Sequence, residues 1–221
     1  MKKNKFNIAL FVKKDKPYIN NIIKILKVKG SLDVYFTHKK QIPLKTINKK
    51  YDIIISYLSS WIIPKKILNQ TKFININFHP GPPEYPGTGC FNFALYNNEK
   101  KYGVTCHIME PKVDIGNIIK IRRFNISLKD NVDTLSSKSY IELYKLFQES
   151  IKYLFNHNFE LPKSNFKWKR KPFKRTQLNE LSTLKISMSK KEIFKRIRCT
   201  YLKDKPPPIL KLYGKKFEYK E

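Results

Sequence analysis

Three isoleucines in a row, Ile53-Ile54-Ile55, constrain this chain more than any other feature. Successive side chains of a strand point to opposite faces, so an unbroken apolar run needs cover on both sides. A parallel sheet with helices above and below supplies that cover. The neighbouring segments agree. Asn7–Val12 and Asp33–Thr37 read as short strands rich in β-branched and aromatic residues, and Tyr18–Val28 between them carries Ile19, Ile22, Ile23 and Leu26 at helical spacing. Asp52–Tyr57 is the strand that holds the isoleucine run. Pro64 opens a short helix over Lys65–Asn69, and Lys72–Phe78 is a further strand. This alternation predicts an α/β fold on an open, mostly parallel sheet. Farther on, Cys90–Asn97 reads as a helix, and Val104–Met109 and Ile118–Phe124 as strands. Asp133–Phe155 reads as a long amphipathic helix with Leu135, Ile141, Tyr144, Leu146 and Ile151 on its apolar face. Residues 189–199 form a short basic helix. Ile209–Tyr213 and Lys216–Tyr219 form a β-hairpin around Gly214-Lys215.

Charge is the second constraint. The 221 residues carry 46 Lys plus Arg against 17 Asp plus Glu, a formal +29. Such a surface attracts polyanions. Only 6 of the cations are Arg, however, and 40 are Lys, whereas readers of phosphates and base edges favour the bidentate arginine fork. Together with 18 Asn and 27 Ile, the lysine excess reads first as the mark of an AT-rich genome. The charge is also uneven: +12 over residues 1–50, +4 over 51–126 and +13 over 127–221. The middle third is the least charged and holds five of the seven glycines, where tight turns and specific side chains are expected to build a site.

Several classes are disfavoured. No apolar run reaches the length of a membrane span, and Ile8–Val12 is too short for a signal-peptide core. Cys90, Cys106 and Cys199 are odd in number and unpaired in spacing, which fits a reducing cytoplasm. His38, His79, His107 and His157 show no metal-ligand spacing, so no metal is expected. Between residues 163 and 175 seven cations crowd together with Phe166, Trp168 and Phe173. The simpler reading is an exposed linker with a few aromatic anchors. The other is a phosphate-contacting segment beside a site.

The chemistry is concentrated at Asn77-Phe78-His79-Pro80-Gly81, where a strand ends in a turn. Asn77 and His79 project to one side of that strand, and in open α/β sheets ligands bind at the carboxyl strand ends. An amide donor beside an imidazole can hold an oxyanion and move a proton. Asp114, followed by Ile115-Gly116, can reach back toward a histidine. Taken singly, Asn77 and His79 read more simply as turn formers or satisfied polar groups, and Asp114 as a turn residue.

In combination, the stretch from Ser56 to Gly116 resembles the N10-formyltetrahydrofolate-dependent formyltransferases, and the short tail, with Arg196-Ile197-Arg198, Pro206-Pro207-Pro208-Ile209 and Tyr213-Gly214-Lys215-Lys216, resembles the extensions of the sugar N-formyltransferases among them. The resemblance rests on Asn77-x-His79 ending a strand and Asp114-x-Gly116 with its aspartate 35 residues after His79. It also takes in Trp61-Ile62-Ile63-Pro64, Tyr85-Pro86-Gly87 and Gly103-Val104-Thr105 leading to His107. The resemblance implies a Rossmann-like open twisted sheet, mostly parallel, with helices on both faces, plus a short C-terminal helix and β-hairpin. It places a catalytic domain at residues 1–175 and an extension at 176–221. Asn77 would bind the formyl oxygen, His79 would share that task and shuttle a proton, and Asp114 would orient His79 and help deprotonate the amine. The donor, N10-formyltetrahydrofolate, would lie between Ile62–Ile63 and the loop with Met109 and Val113. His107 is either a bracing or a catalytic residue. Tyr85, His107, Arg175 and Arg198 are candidates for the acceptor.

The same resemblance implies a nucleotide-linked amino sugar as acceptor, such as a dTDP-4-amino-4,6-dideoxyhexose, in a cytoplasmic protein for which a homodimer is compatible. The methionyl-tRNA branch carries a C-terminal β-barrel after a linker, whereas 46 residues follow Arg175. A methionyl-tRNA formyltransferase-like or nucleic-acid-binding protein on the same scaffold is the alternative, with the +29 in its favour.

Overall fold

A computed structural model describes residues 6–37, 49–203 and 205–220; Met1–Lys5 and His38 lie outside them. Six strands form the central sheet: β1 (Phe6–Val12), β2 (Gly30–Phe36), β3 (Ile53–Tyr57), β4 (Ile74–His79), β5 (Lys101–Ile108) and β6 (Ile118–Asn125), in spatial order β2-β1-β3-β4-β5-β6. β2, β1, β3 and β4 run parallel; β5 is antiparallel to both neighbours. The expected mostly parallel α/β sheet is therefore present.

Alternation along the strands sorts two faces. Ile8, Leu10, Val12, Ile53, Ile55, Tyr57, Ile74, Ile76 and Phe78 pack in one cluster with residues of α1 (Ile19–Lys27) and α4 (Val132–Asn156). Ala9, Phe11 and Ile54 face the other way, toward Ile63 and the short α2 (Lys65–Leu68). Both faces of the isoleucine run are thus covered, as its composition requires. A further cluster joins Cys90, Ala94 and Leu95 of α3 (Cys90–Tyr96) to Val132, Leu135, Phe173, Leu181 and Cys199. Leu181 ends α5 (Arg175–Leu181) and Cys199 lies on α6 (Lys190–Thr200), so packing runs continuously across residue 175.

Three expectations change. β2 begins at Gly30, because a Cβ there would lie 2.0 Å from the Phe6 carbonyl oxygen; only glycine lets the two strands start together. Ile141 is 43 % exposed. It precedes the buried Leu143 by two residues, about 200° around the helix, which puts it on the solvent side of α4. The C-terminal hairpin of β8 (Ile209–Leu212) and β9 (Lys215–Glu218) gains a third strand, β7 (Thr183–Leu184), parallel to β8. The basic segment before α5 keeps to the simpler reading: its cations are exposed, and Phe173, which is buried, and Trp168, which contacts two histidines, are its aromatic anchors.

Candidate active site

β4 carries the site on its last turns. Asn75, Asn77 and His79 alternate with Ile74, Ile76 and Phe78, so the polar row faces away from the large core. β5 runs alongside in the opposite direction and sets His107 opposite Asn77 and Thr105 opposite His79. Loop 109–117 returns Asp114 to the same place. Its backbone is left-handed there, φ 47°, a conformation that aspartate and asparagine accept more readily than most residues.

The resulting array is continuous. Asp114 Oδ2 lies 3.3 Å from His79 Nδ1 and accepts the Gly87 N–H at 2.7 Å; Asp114 Oδ1 lies 3.2 Å from His107 Nε2. Asn77 Nδ2 donates to His107 Nε2 at 3.0 Å. The tautomers follow from carbonyl neighbours, which only accept: His79 Nε2–H donates to Tyr85 O at 3.1 Å, and His107 Nδ1–H donates to Ile108 O at 2.7 Å. Each imidazole therefore turns its other nitrogen toward Asp114. His107, whose role the sequence left open, joins Asn77 to Asp114.

These groups are taken out of water. His79, Asp114 and His107 are 5 %, 5 % and 2 % exposed, whereas Asn77 keeps partial exposure. Burial pushes the His79 imidazole below its ordinary value, against the pull of the Asp114 charge and the Tyr85 carbonyl. Burial alone would raise the Asp114 carboxyl, but His79, His107 and the Gly87 N–H outweigh it and hold the acid far below the usual carboxylate range. The array thus combines a permanent carboxylate with an imidazole that gives up its proton easily.

The turn after β4 is shaped for this arrangement. A Cβ at Gly81 would lie 2.6 Å from His79 Nε2 and 2.8 Å from Cys90 Cβ. Thr105 Oγ1 donates to Gly81 O at 2.8 Å. Glu84, farther along the proline-rich loop, is gripped by Arg123 through two contacts of 2.7 and 3.0 Å.

The other candidates divide. Tyr85 is buried; its hydroxyl donates to Glu99 at 2.6 Å and accepts from Asn97, so it supports the loop rather than facing an acceptor. Arg198 donates to Asp130 O at 2.9 Å and ties α6 to the start of α4, and Arg175 is exposed at the first residue of α5. Neither arginine enters the array. Ile63 is buried with Met109 packed against its cluster, while Ile62 and Val113 are exposed apolar residues at 59 % and 39 %. Asn75 donates to Leu68 O at 2.9 Å, yet its buried Oδ1 has no hydrogen-bond partner. Among the described residues no group of His, Cys, Asp or Glu could hold a metal ion, and no helix is long and apolar enough to cross a membrane.

The formyl transferase family matches residues 6–150. A curated methionyl-tRNA formyltransferase from Thermodesulfovibrio yellowstonii is 36% identical over 109 residues, 49% of this chain and 35% of that protein. The chain thus spans about a third of the length of that relative. The fold is that of a sugar N-formyltransferase from Shewanella sp FDAARGOS_354, with a TM-score of 0.79 at 18% identity over 97% of both chains. It is also that of the N-formyltransferase from Helicobacter canadensis solved with folinic acid and dTDP-3-aminofucose, with a TM-score of 0.73 at 20% identity over 95% of this chain and 85% of that one.

Proposed function

The chain belongs to the formyl transferase family, and on that premise we propose that it moves a formyl group from N10-formyltetrahydrofolate to the amine of a nucleotide-linked amino sugar. The observation that carries the reading is the unbroken line Asn77–His107–Asp114–His79 at the carboxyl end of β4. Transfer between an N-aryl formamide and an amine passes through a tetrahedral intermediate, which needs a donor for the oxyanion and a sink for one proton. Asn77 supplies the donor. One N–H is held by His107 Nε2, which leaves the second free for the formyl oxygen.

The proton sink is the buried pair behind it. The amine loses its proton as it attacks the formyl carbon. The proton enters the array at Asp114 and rests between Oδ2 and His79 Nδ1, 3.3 Å apart. From there it returns to the departing N10 nitrogen, so acid and base roles alternate within one pair and no covalent enzyme intermediate is needed. The Tyr85 carbonyl keeps the His79 ring turned for this exchange.

The donor fits the neighbouring surface. Ile62 and Val113 leave apolar area open beside the buried Ile63. The sugar acceptor draws support from the full-length likeness to sugar N-formyltransferase folds and from the dTDP-amino sugar held by the Helicobacter canadensis protein. Transfer to methionyl-tRNA is the second reading, favoured by the curated relatives and by the positive charge. Incubating the protein with N10-formyltetrahydrofolate and either a panel of amino nucleotide sugars or charged initiator tRNA separates the two. Formylation of a sugar, abolished by Asn77→Ala, supports the proposal; formylation of the tRNA alone refutes it.

A further inference from the structure

We infer that Trp168 is a positioning residue of the site: its indole roofs the two imidazoles and shuts water out of the His79–Asp114–His107 array. The residue lies outside the 6–150 stretch that matches the family, on the basic segment between α4 and α5. The inference rests on the reading of that array as the proton relay.

Geometry carries it. The ring centroid of Trp168 lies 5.0 Å from that of His107 at an interplanar angle of 87°, and 6.0 Å from that of His79 at 70°. Both imidazoles are therefore met edge to face by one indole, an arrangement that aromatic rings favour. Successive residues of the segment are tied to the two loops that flank the array. Trp168 Nε1–H donates to Gly116 O at 2.8 Å, on the loop that carries Asp114. The Lys169 N–H donates to Pro83 O at 3.0 Å, on the loop that supplies the Tyr85 carbonyl and the Gly87 N–H. The segment thus closes one loop onto the other with the indole between them.

The far end is fixed as firmly. Phe173 N–H donates to Pro86 O at 2.9 Å, and the Thr88 N–H donates to Phe173 O at 3.0 Å, a one-residue parallel bridge with Gly87. Gly87 has φ 84°, and a Cβ there would lie 2.5 Å from Phe173 O, so only glycine admits the crossing. The same Gly87 donates to Asp114. Phe173 stacks on Phe93 at 3.8 Å with its planes 6° apart, and the Arg170 guanidinium lies 3.4 Å from its ring centre. The roof is thus anchored at Trp168 itself and along the residues that follow it.

A roof of this kind preserves the dry surroundings that let a carboxylate and an imidazole exchange a proton without competition from water. His79 is faced by Asp114 from loop 109–117 and by His107 from β5, and Cys90 of α3 is the remaining titratable neighbour, sensing the Asp114 charge. Lys167 and Lys169 flank the indole on the segment itself, with Glu84 near Lys169. Opening the roof admits water to His79, returns its ring toward ordinary basicity and frees it to turn.

The test uses the whole chain with Trp168→Ala and Trp168→Phe. With formyl donor and acceptor, Trp168→Ala lowers kcat roughly 10- to 100-fold with KM little changed, the loss expected of a misplaced catalytic group. The acid limb of its pH profile moves to higher pH, because the base must now be deprotonated against a higher affinity. Trp168→Phe, which keeps a ring over the imidazoles, recovers most of the rate. A second readout needs no substrate. In a Trp61→Phe background Trp168 is the only indole, and its emission falls as acid protonates the imidazoles beside it; His79→Gln together with His107→Gln abolishes the fall. A wild-type kcat and acid limb in Trp168→Ala overturns the proposal, and so does an emission indifferent to pH. If no donor and acceptor turn over in the unmodified protein, the failure lies with the formyl-transfer reading, and the emission titration still decides the contact.

Discussion

Replacing Asp114 by asparagine removes one charge from the centre of the array and changes little else. The side chain keeps its shape, and asparagine accepts the φ of 47° at this position as well as aspartate does. The carboxylate receives a backbone N–H at 2.7 Å and faces two imidazole nitrogens at 3.2 and 3.3 Å. A hydrogen bond to an ionised group contributes about 1.5–3 kcal/mol, and while both imidazoles are neutral the Gly87 N–H is the one donor in place. The amide oxygen keeps that donor but accepts it without a charge. The NH₂ can donate to only one of the two imidazole nitrogens, and the cost of burying an ion disappears. The net loss is about 1–2 kcal/mol at neutral pH. The sign with pH follows from the acid's depressed affinity for protons. The stability it contributes is fully present above the ordinary aspartate range and is lost as pH falls through the lower, folded-state value. Urea unfolding of both proteins at several pH values between neutral and strongly acidic conditions reads this directly. The gap is widest at neutral pH and narrows toward acid. Formyl transfer falls by about 10²–10⁴ in parallel, the usual worth of a positioned acid–base group. A gap below about 0.5 kcal/mol at neutral pH, or one unchanged into acid, would refute the account of Asp114 as a charged hub.

Two further outcomes check the surroundings. Gly81→Ala drives a methyl group to within 2.6 Å of His79 Nε2, and the enclosed site has no slack for it; calorimetry should show a loss of about 1–3 kcal/mol together with a sharp fall in kcat, whereas an unchanged Tm and rate would mean that the turn is not tightly packed on the ring. Burial pushes the thiols of Cys90, Cys106 and Cys199 up to about 12, so none should react with a thiol reagent at neutral pH until the chain unfolds, and rapid labelling of any one in the native protein contradicts its placement.

Much of the fold is legible because local signals and tertiary needs coincide. The isoleucine run of β3, the spacing of α1 and the Pro64 start of α2 each state their element within a few residues, and each element lies where those signals put it. The exceptions are long-range. β7 exists only because β8, some twenty-five residues later, offers it a partner, and β2 begins at a glycine whose strand character depends on the approach of Phe6. Ile141 misled because one apolar residue on the exposed side of a long helix costs little.

The site divides the same way. Sequence alone determined that Asn77 and His79 share one face of a strand end and that an aspartate set before Ile115-Gly116 follows at a fixed distance, since alternation and turn chemistry are properties of neighbouring residues. Tertiary structure decided the rest. It set His107 between Asn77 and Asp114 by antiparallel register, turned Tyr85 inward onto Glu99, and committed Arg198 to a helix start. It also carried Trp168 across 52 residues of chain to the Gly116 carbonyl and over the imidazoles. Each of these is a contact between segments distant in sequence, selected by packing and by the need of buried polar groups for partners. No periodicity or spacing within a window records such a choice, because the energy that decides it arises only when the segments meet.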